Sequence, residues 1–123
     1  MASFRELLAA TKQQIREVDT AEAAQLVQNG SVTLDVREPE EFEQGALVGA
    51  THIPRGQLES QIENRIPNRD VPILAYCAAG TRSAFVAKTL NDLGYTDVVS
   101  MDGGFTKWKS EGRPWETPRA LDV

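Results

Sequence analysis

The chain's single cysteine, Cys77, opens the stretch CAAGTRS at the end of an apolar run over residues 72–76. That run has the composition of a buried strand. After the stretch, Val86 and Leu90 recur at helical spacing, and Gly94 stands where a left-handed helix cap is expected. The pattern therefore predicts a strand, a tight loop that begins with a thiol, and a helix.

Such a loop is suited to holding negative charge. The first amides of a helix have no internal acceptor, and the helix dipole directs its positive end toward them. Gly80 allows a left-handed backbone, and the small side chains of Ala78 and Ala79 let successive amides converge on one point. Arg82 adds a planar, positively charged guanidinium whose N–H groups can bind an anion. We expect a small anion, or a terminal sulfur carried on Cys77, to be bound there.

The same surroundings favour ionisation of the thiol. A free cysteine has a pKa of roughly 8.5, which falls to about 3.5 to 7.5 near helix starts, and the thiolate is the nucleophilic form. The alternative is that Cys77 is an inert buried thiol, since free cysteine is often buried. The glycine, the arginine and the helix start that follow Cys77 favour the reactive interpretation. A low-pKa thiolate is also open to oxidation, which would suit a redox sensor.

Four segments in order, LDVREPEEFEQG, GATHIPRG, CAAGTRS and MDGGFTKW, make the chain resemble the rhodanese-like sulfurtransferase domain from about residue 15 to residue 118. The resemblance implies that Cys77 takes a sulfane sulfur from thiosulfate or a similar donor and becomes a persulfide. The outer sulfur then passes to a nucleophilic acceptor: cyanide, a thiol or a sulfur-carrier protein. Neither a cofactor nor a metal is expected, since one cysteine and one histidine in separate motifs do not form a ligand set.

Loop length separates the alternatives. Relatives that act as phosphatases carry five residues between cysteine and arginine, whereas four lie between Cys77 and Arg82. A small-anion phosphatase or arsenate reductase is therefore disfavoured, and no general acid is evident. A noncatalytic docking module is the other alternative, although such domains usually lack the cysteine. The chain also departs from the commoner family form at Ala46 and Val48, where histidine and proline are usual, but both lie in a supporting loop.

Beyond Cys77, we expect the active loop and two arginines to bind the substrate. Asp35 and Arg37 follow a predicted strand, and we expect them to brace the loops around the pocket, with Arg37 adding positive charge at its mouth. Arg55 follows Pro54 at another strand end and either lies at the pocket rim, where it would attract thiosulfate or a protein carboxylate, or is a solvated surface arginine. The only histidine, His52, is interpreted as a packing residue. The expected substrate-binding residues are Ala78, Ala79, Gly80, Thr81, Arg82, Ser83, Arg37 and Arg55.

Composition and charge limit the class of protein. The chain has 123 residues, of which 41% are hydrophobic and 25% charged, as in one ordinary globular domain. A net charge of −5 argues against nucleic acid and anionic membranes as partners. One cysteine cannot form an internal disulfide, and neither a membrane span nor a signal peptide is evident, so we expect a cytoplasmic protein.

Alternating strand and helix patterns predict an α/β fold, with about five strands in a mainly parallel sheet and helices on both faces. The active loop should follow the fourth strand. Residues 1–14 form a predicted N-terminal helical extension, residues 15–118 the domain, and residues 119–123 a tail. The extension could pack on the domain or dock a partner. Gly103 and Gly104 suggest a close backbone approach near the pocket, and Trp108 is assigned to the core.

Overall fold

A five-stranded parallel sheet organises the chain in a computed structural model that describes residues 3–118. Helices and strands alternate along the sequence, as the pattern predicts. The helices are α1 Phe4–Lys12, α2 Thr20–Gln28, α3 Pro39–Gln44, α4 Leu58–Arg65, α5 Thr81–Asp92 and α6 Gly104–Ser110. The strands are β1 Arg16–Val18, β2 Val32–Asp35, β3 Ala46–Leu47, β4 Thr51–His52, β5 Ile73–Tyr76, β6 Val98–Met101 and β7 Trp115–Glu116.

The order of the strands places β5 at the centre of the main sheet. The order is β1-β6-β5-β2-β4, and all neighbouring strands run parallel. All four residues of β5 are buried, which explains why its sequence is a continuous apolar run. Cys77 follows β5, the fourth strand of this sheet along the chain, so the active loop lies at the carboxyl edge as expected.

Helices cover both faces of the sheet, and each face has its own apolar core. One core joins Ile62 of α4 and Leu90 of α5 to the sheet, and Cys77 belongs to it. The other core joins Ala23 of α2 and Trp108 of α6 to Tyr76 and its neighbours. Trp108 is buried and its indole nitrogen donates to the Pro114 carbonyl at 2.8 Å, so its assignment to the core is confirmed.

The N-terminal helix α1 packs on α5. Ser3 caps it by accepting the Glu6 amide at 3.1 Å, and Thr11 is buried on its inner face. The rings of Phe4 and Phe85 lie 6.0 Å apart, although Phe4 and Leu7 remain largely exposed. The helix thus extends the layer that covers one side of the sheet, while the predicted domain boundary at residues 14 and 15 stays a prediction.

A small antiparallel ribbon of β3 and β7 was not predicted. It pairs Ala46 with Glu116 and Leu47 with Trp115. Trp115 also meets Phe105 edge to face, with ring centroids 6.2 Å apart. The ribbon ties the segment after α6 to the loop after α3. The predicted tail, residues 119–123, lies outside the described residues. Within residues 3–118, no helix is long and apolar enough to cross a membrane.

Candidate active site

The loop between β5 and α5 turns at a glycine that the fold requires. Gly80 has a φ of +105° and stands immediately before the first residue of α5, Thr81. A Cβ atom at Gly80 would lie 3.3 Å from the Met101 carbonyl oxygen, which is tighter than ordinary contact. Both the left-handed backbone and the nearby strand end therefore favour glycine. The turn reverses the chain so that the first amides of α5 face back toward Cys77.

The sulfur of Cys77 lies inside this turn. It accepts the Gly80 amide at 3.1 Å and the Ser83 amide at 3.4 Å, and the Ser83 hydroxyl lies 3.6 Å away. Burial of the thiol raises its pKa, but hydrogen bonds from Ser83, Gly80 and Ala79 outweigh burial, so the net pKa of Cys77 is below its usual value. The geometry thus favours a thiolate held by backbone donors.

A second serine positions the Ser83 hydroxyl. Ser100 lies in β6, and the two hydroxyl oxygens are 2.7 Å apart. Both residues are fully buried, so neither hydroxyl has water as an alternative partner. Sequence reasoning missed Ser100. The signal available was a serine within the otherwise apolar strand VVSM, which a buried strand tolerates only when the hydroxyl is paired.

The start of α6 supports the loop from the other side. The Phe105 amide donates to the Cys77 carbonyl at 2.8 Å, and the Thr106 amide donates to the Ala78 carbonyl at 3.0 Å. Gly104 has a φ of +58°, and a Cβ atom there would lie 2.5 Å from backbone atoms of the loop. The close approach predicted from the double glycine is confirmed.

Arg82 is engaged by a carboxylate. Its guanidinium donates to both oxygens of Glu41 in α3, at 2.7 and 3.0 Å. The hydrogen bond from Arg82 is the main reason that the pKa of Glu41 lies below its usual value. We expected Arg82 to present its fork to a bound anion, whereas here the fork is directed at Glu41. Sequence reasoning missed Glu41 because the two residues lie 41 positions apart.

Arg37 lies in the protein interior. It is 4% exposed and bonds Asp35 through two nitrogens, with the shortest contact at 2.7 Å, and it also donates to the Gly45 carbonyl at 2.6 Å. Tyr76 completes the network by donating to Asp35 at 2.7 Å and accepting the Leu47 amide at 3.0 Å. Burial and the Asp35 charge raise the pKa of Tyr76, so its hydroxyl stays protonated. This arrangement fits the bracing expected of the pair, and it leaves Arg37 away from any exposed mouth.

The remaining predicted residues line the outside of the loop or its rim. Ala78 and Thr81 are half-buried and Ala79 is exposed, so the outer surface of the loop is small and weakly polar. Arg55 is exposed, with its guanidinium 4.6 Å from the centre of the Phe85 ring. His52 stacks on Phe42 at 4.3 Å and bonds the Arg37 carbonyl at 2.8 Å, as a packing residue does.

The chain is thus a parallel α/β domain with a cysteine in the tight loop before a helix. The family model described as the Rhodanese-like domain matches residues 19–111. The chain belongs to the rhodanese-like domain family.

Curated relatives include proteins named thiosulfate sulfurtransferase GlpE. That of Ectopseudomonas mendocina is 30% identical over 79% of this chain and 87% of its own length. That of Tolumonas auensis is 36% identical over 78% of this chain and 90% of its own length. An uncharacterized protein of Bacillus subtilis, YqhL, is 45% identical over 61% of this chain and 58% of its own length. The chain thus spans somewhat more than half of that relative.

Solved structures show the same fold. A protein of unknown function from Rhodopseudomonas palustris, described as a possible tyrosine phosphatase, is 33% identical with a TM-score of 0.84 and covers 94% of this chain and 96% of its own. The polysulfide-sulfur transferase homodimer of Wolinella succinogenes is 26% identical with a TM-score of 0.82, over 98% and 91% of the two chains. A thiosulfate sulfurtransferase of Pseudomonas aeruginosa has a TM-score of 0.72 at 32% identity, over 82% of this chain and 20% of its own.

Proposed function

We propose that the chain is a sulfurtransferase that moves a sulfane sulfur from thiosulfate or a similar donor to a nucleophilic acceptor through a persulfide on Cys77. The observation that carries the proposal is the sulfur of Cys77 held by the Gly80 and Ser83 amides, at 3.1 and 3.4 Å. The named relatives that act on thiosulfate support the choice of donor.

The proposed reaction has two halves. In the first, the Cys77 thiolate attacks the outer sulfur of thiosulfate, the sulfur–sulfur bond of thiosulfate breaks, and sulfite leaves with the electron pair. In the second, a nucleophile such as cyanide or a thiol attacks the outer sulfur of the persulfide and regenerates the Cys77 thiolate. The loop amides stabilise the negative sulfur in both states, as preorganised donors do at oxyanion sites.

The chain's own residues supply every group that this scheme needs. Neither half requires a cofactor, and the part of the chain that the structure describes has no group of three His, Cys, Asp or Glu side chains placed to hold a metal ion. We place the protein in the cytoplasm, because a reducing compartment keeps a reactive thiol free.

Hydrolysis of a phosphate ester is the second candidate, because a similar structure is described as a possible tyrosine phosphatase. The four-residue spacing between Cys77 and Arg82 makes the cradle smaller than the five-residue loop of the phosphatase relatives. Sulfur transfer therefore fits the loop better.

The test is the intact mass of the purified protein after incubation with thiosulfate, beside Cys77→Ser. We expect the wild type to gain one sulfur atom and lose it on addition of cyanide, with thiocyanate released, while Cys77→Ser gains none. An aryl phosphate is offered in parallel. A folded wild type that gains no sulfur would overturn the proposal for this donor, and release of phosphate with no sulfur gain would favour the phosphatase.

A further inference from the structure

The charge of Arg82 in the active loop is balanced by a carboxylate that the fold holds in place. Glu41 lies in the first turn of α3 and accepts both guanidinium contacts, at 2.7 and 3.0 Å. The same carboxylate accepts the Glu38 amide at 3.1 Å, as in a capping box. Because a backbone amide also holds it, the Glu41 carboxylate can leave Arg82 only by giving up that second hydrogen bond.

Arg82 lies close enough to the reactive sulfur for its charge to act there. It is the residue before Ser83, whose amide donates to the Cys77 sulfur at 3.4 Å. Glu41 is the main reason that the pKa of Arg82 lies above its usual value, and the charge of the Cys77 thiolate raises that pKa further. An anion that approaches Cys77 therefore meets the charge of Arg82 together with the opposite charge of Glu41.

The backbone amides of the loop are matched to one negative charge. The Gly80 and Ser83 amides both donate to a single sulfur, at 3.1 and 3.4 Å. Thiosulfate carries two negative charges, and its leaving group, sulfite, keeps both. Attraction of the second charge to Arg82 is opposed by its repulsion from Glu41, since the two side chains are in direct contact. The pair thus weakens the advantage of a doubly charged sulfur donor.

We propose that Glu41 determines the choice of sulfur donor: by pairing with Arg82, it favours a sulfane-sulfur donor with at most one negative charge, an organic persulfide or a thiosulfonate, over thiosulfate. The proposal rests on the persulfide function proposed above. The Cys77 thiolate attacks the outer sulfur of the donor, the sulfur–sulfur bond breaks, and the leaving thiolate or sulfinate takes the electron pair. Cys77 becomes a persulfide, and the step needs no further oxidant or reductant.

The experiment compares two sulfur donors that react in the same way. Thiosulfate carries two negative charges, whereas methanethiosulfonate has a methyl group in place of one oxygen and carries one. Sulfur uptake on Cys77 is followed by intact mass, and the second-order rate constant for thiosulfate is divided by that for methanethiosulfonate. In Glu41→Gln this ratio should rise about threefold to tenfold above the wild type, because losing a negative charge helps the dianion more than the monoanion.

Salt distinguishes an effect of charge from a loosened loop. The side chains of Arg82 and Glu41 are both partly exposed, so their action on a passing anion is screened by ions in solution. The difference in ratio between Glu41→Gln and the wild type should therefore shrink at about 0.5 M salt. A change in the shape of the loop would persist at that salt concentration.

Three variants serve as controls. Glu41→Asp keeps the charge and should keep a ratio near that of the wild type, even where it slows uptake from both donors. Glu41→Gln combined with Arg82→Gln removes both charges of the pair, so the ratio should return toward the wild-type value. Glu43 is exposed and lies two residues along α3, on a different side of the helix. Glu43→Gln makes the same change in net charge and should leave the ratio unchanged.

The outcomes separate the two proposals. A folded wild type that takes sulfur from neither donor overturns the persulfide function. Uptake from both donors with the same ratio in Glu41→Gln as in the wild type overturns the role of Glu41 and leaves the persulfide function standing. An equal rise of the ratio in Glu41→Asp or Glu43→Gln also overturns that role, because it would reflect a loosened loop or the net charge of the protein. A ratio that stays high in the double variant overturns the action through Arg82.

Discussion

The ionisation of Cys77 depends on a balance between burial and hydrogen bonding at a single sulfur. The residue is 1% exposed, which alone would keep the thiol protonated. Donors from Ser83, Gly80 and Ala79 outweigh that effect and bring its pKa below the usual value. Because the thiolate is the reactive form, the rate of sulfur uptake should rise with pH as this group loses its proton.

Removal of the Ser83 hydroxyl is expected to shift that rise. Ser83→Ala takes away one bond that favours the thiolate, so the pKa of Cys77 rises and the acid limb of the pH–rate profile moves to higher pH. The measurement is the rate of persulfide formation with thiosulfate as a function of pH. The reactive fraction at neutral pH should fall accordingly.

Two further serine variants serve as a second test and as a control for Ser83→Ala. Ser100→Ala leaves the Ser83 hydroxyl without its partner at 2.7 Å and should shift the limb in the same direction by less. Ser60→Ala removes an exposed hydroxyl that bonds the Gln57 carbonyl at 3.0 Å, and the profile should not move. An acid limb that is identical in Ser83→Ala and Ser60→Ala would show that the hydroxyl does not act on the sulfur.

Sequence reasoning at the residue scale found the groups that lie close together along the chain. Cys77, Gly80 and Ser83 fall within seven residues, and their convergence follows from the local strand, turn and helix. Glu41 and Ser100 could not be found in this way, because their contacts with the loop depend on how α3 and β6 pack. A fork such as that of Arg82 is equally suited to an anion or to a carboxylate of the protein.

Helix α6 fixes the active loop at the scale of elements. Its first amides donate to the carbonyls of Cys77 and Ala78, so the loop is bonded on the side away from α5. This contact requires the backbone of α6 to approach the loop more closely than any side chain permits. Gly104 provides that approach, with a φ of +58°.

Gly104→Ala should disturb both the fold and the loop. The new Cβ would lie 2.5 Å from backbone atoms of Cys77 and Ala78, in addition to the strain of a positive φ. We expect the free energy of unfolding to fall by about 3 kcal/mol or more, with slower sulfur uptake in the remaining folded protein. Urea unfolding and the mass-based loading assay measure the two effects.

Gly112→Ala is the matched control for that change. Gly112 also has a positive φ, of +74°, but a Cβ atom there meets nothing within 4 Å. Its cost should be only the backbone strain, about 1 to 2 kcal/mol. Equal losses of stability in the two variants would mean that the close approach of α6 to the loop has no energetic role.

The main helices and strands could be predicted from sequence because each is long enough to show a hydrophobic pattern. The helical spacing of Val86 and Leu90 predicted α5, and the predicted N-terminal extension contains α1, which ends at Lys12, two residues before the predicted boundary. The ribbon of β3 and β7 escaped prediction, since two residues per strand carry no alternation. Its pairing is long-range and follows from packing on Phe105.

At the scale of the whole molecule, a buried polar network joins the sheet to the ribbon. Asp35 is the last residue of β2, Tyr76 is the last residue of β5, and Gly45 and Leu47 lie in the segment of β3. Arg37 donates to Asp35 and to the Gly45 carbonyl, while Tyr76 donates to Asp35 and accepts the Leu47 amide. The Arg37 guanidinium also lies 4.5 Å from the centre of the Phe105 ring in α6. One buried cation thus contacts residues of β2, β5 and α6 and the residue before β3.

Loss of that cation should destabilise the entire domain. Arg37→Met leaves Asp35 buried without its partner, and breaking a buried pair in this way costs about 3 to 5 kcal/mol. Urea unfolding of the variant measures the loss. Arg113→Met removes a surface pair with Glu111, at 3.1 Å, and should cost under about 1 kcal/mol.

Replacing both partners, as in Asp35→Asn with Arg37→Met, should recover part of the stability because no unpaired charge remains.

Arg37→Met also tests the expectation that Arg37 binds substrate. An Arg37→Met protein that keeps its stability but no longer takes sulfur from thiosulfate would contradict the bracing role and place Arg37 in the substrate site.

Cys77 is a free thiol, and the chain contains no second one. An oxidised Cys77 therefore has no resolving cysteine within the chain, and a sulfenic acid formed there could return to the thiol only through a reductant from outside. A thiol of the kind that accepts sulfur in the proposed function would also serve as that reductant. The supply of such a thiol would then set both the turnover of the protein and its lifetime under oxidative stress.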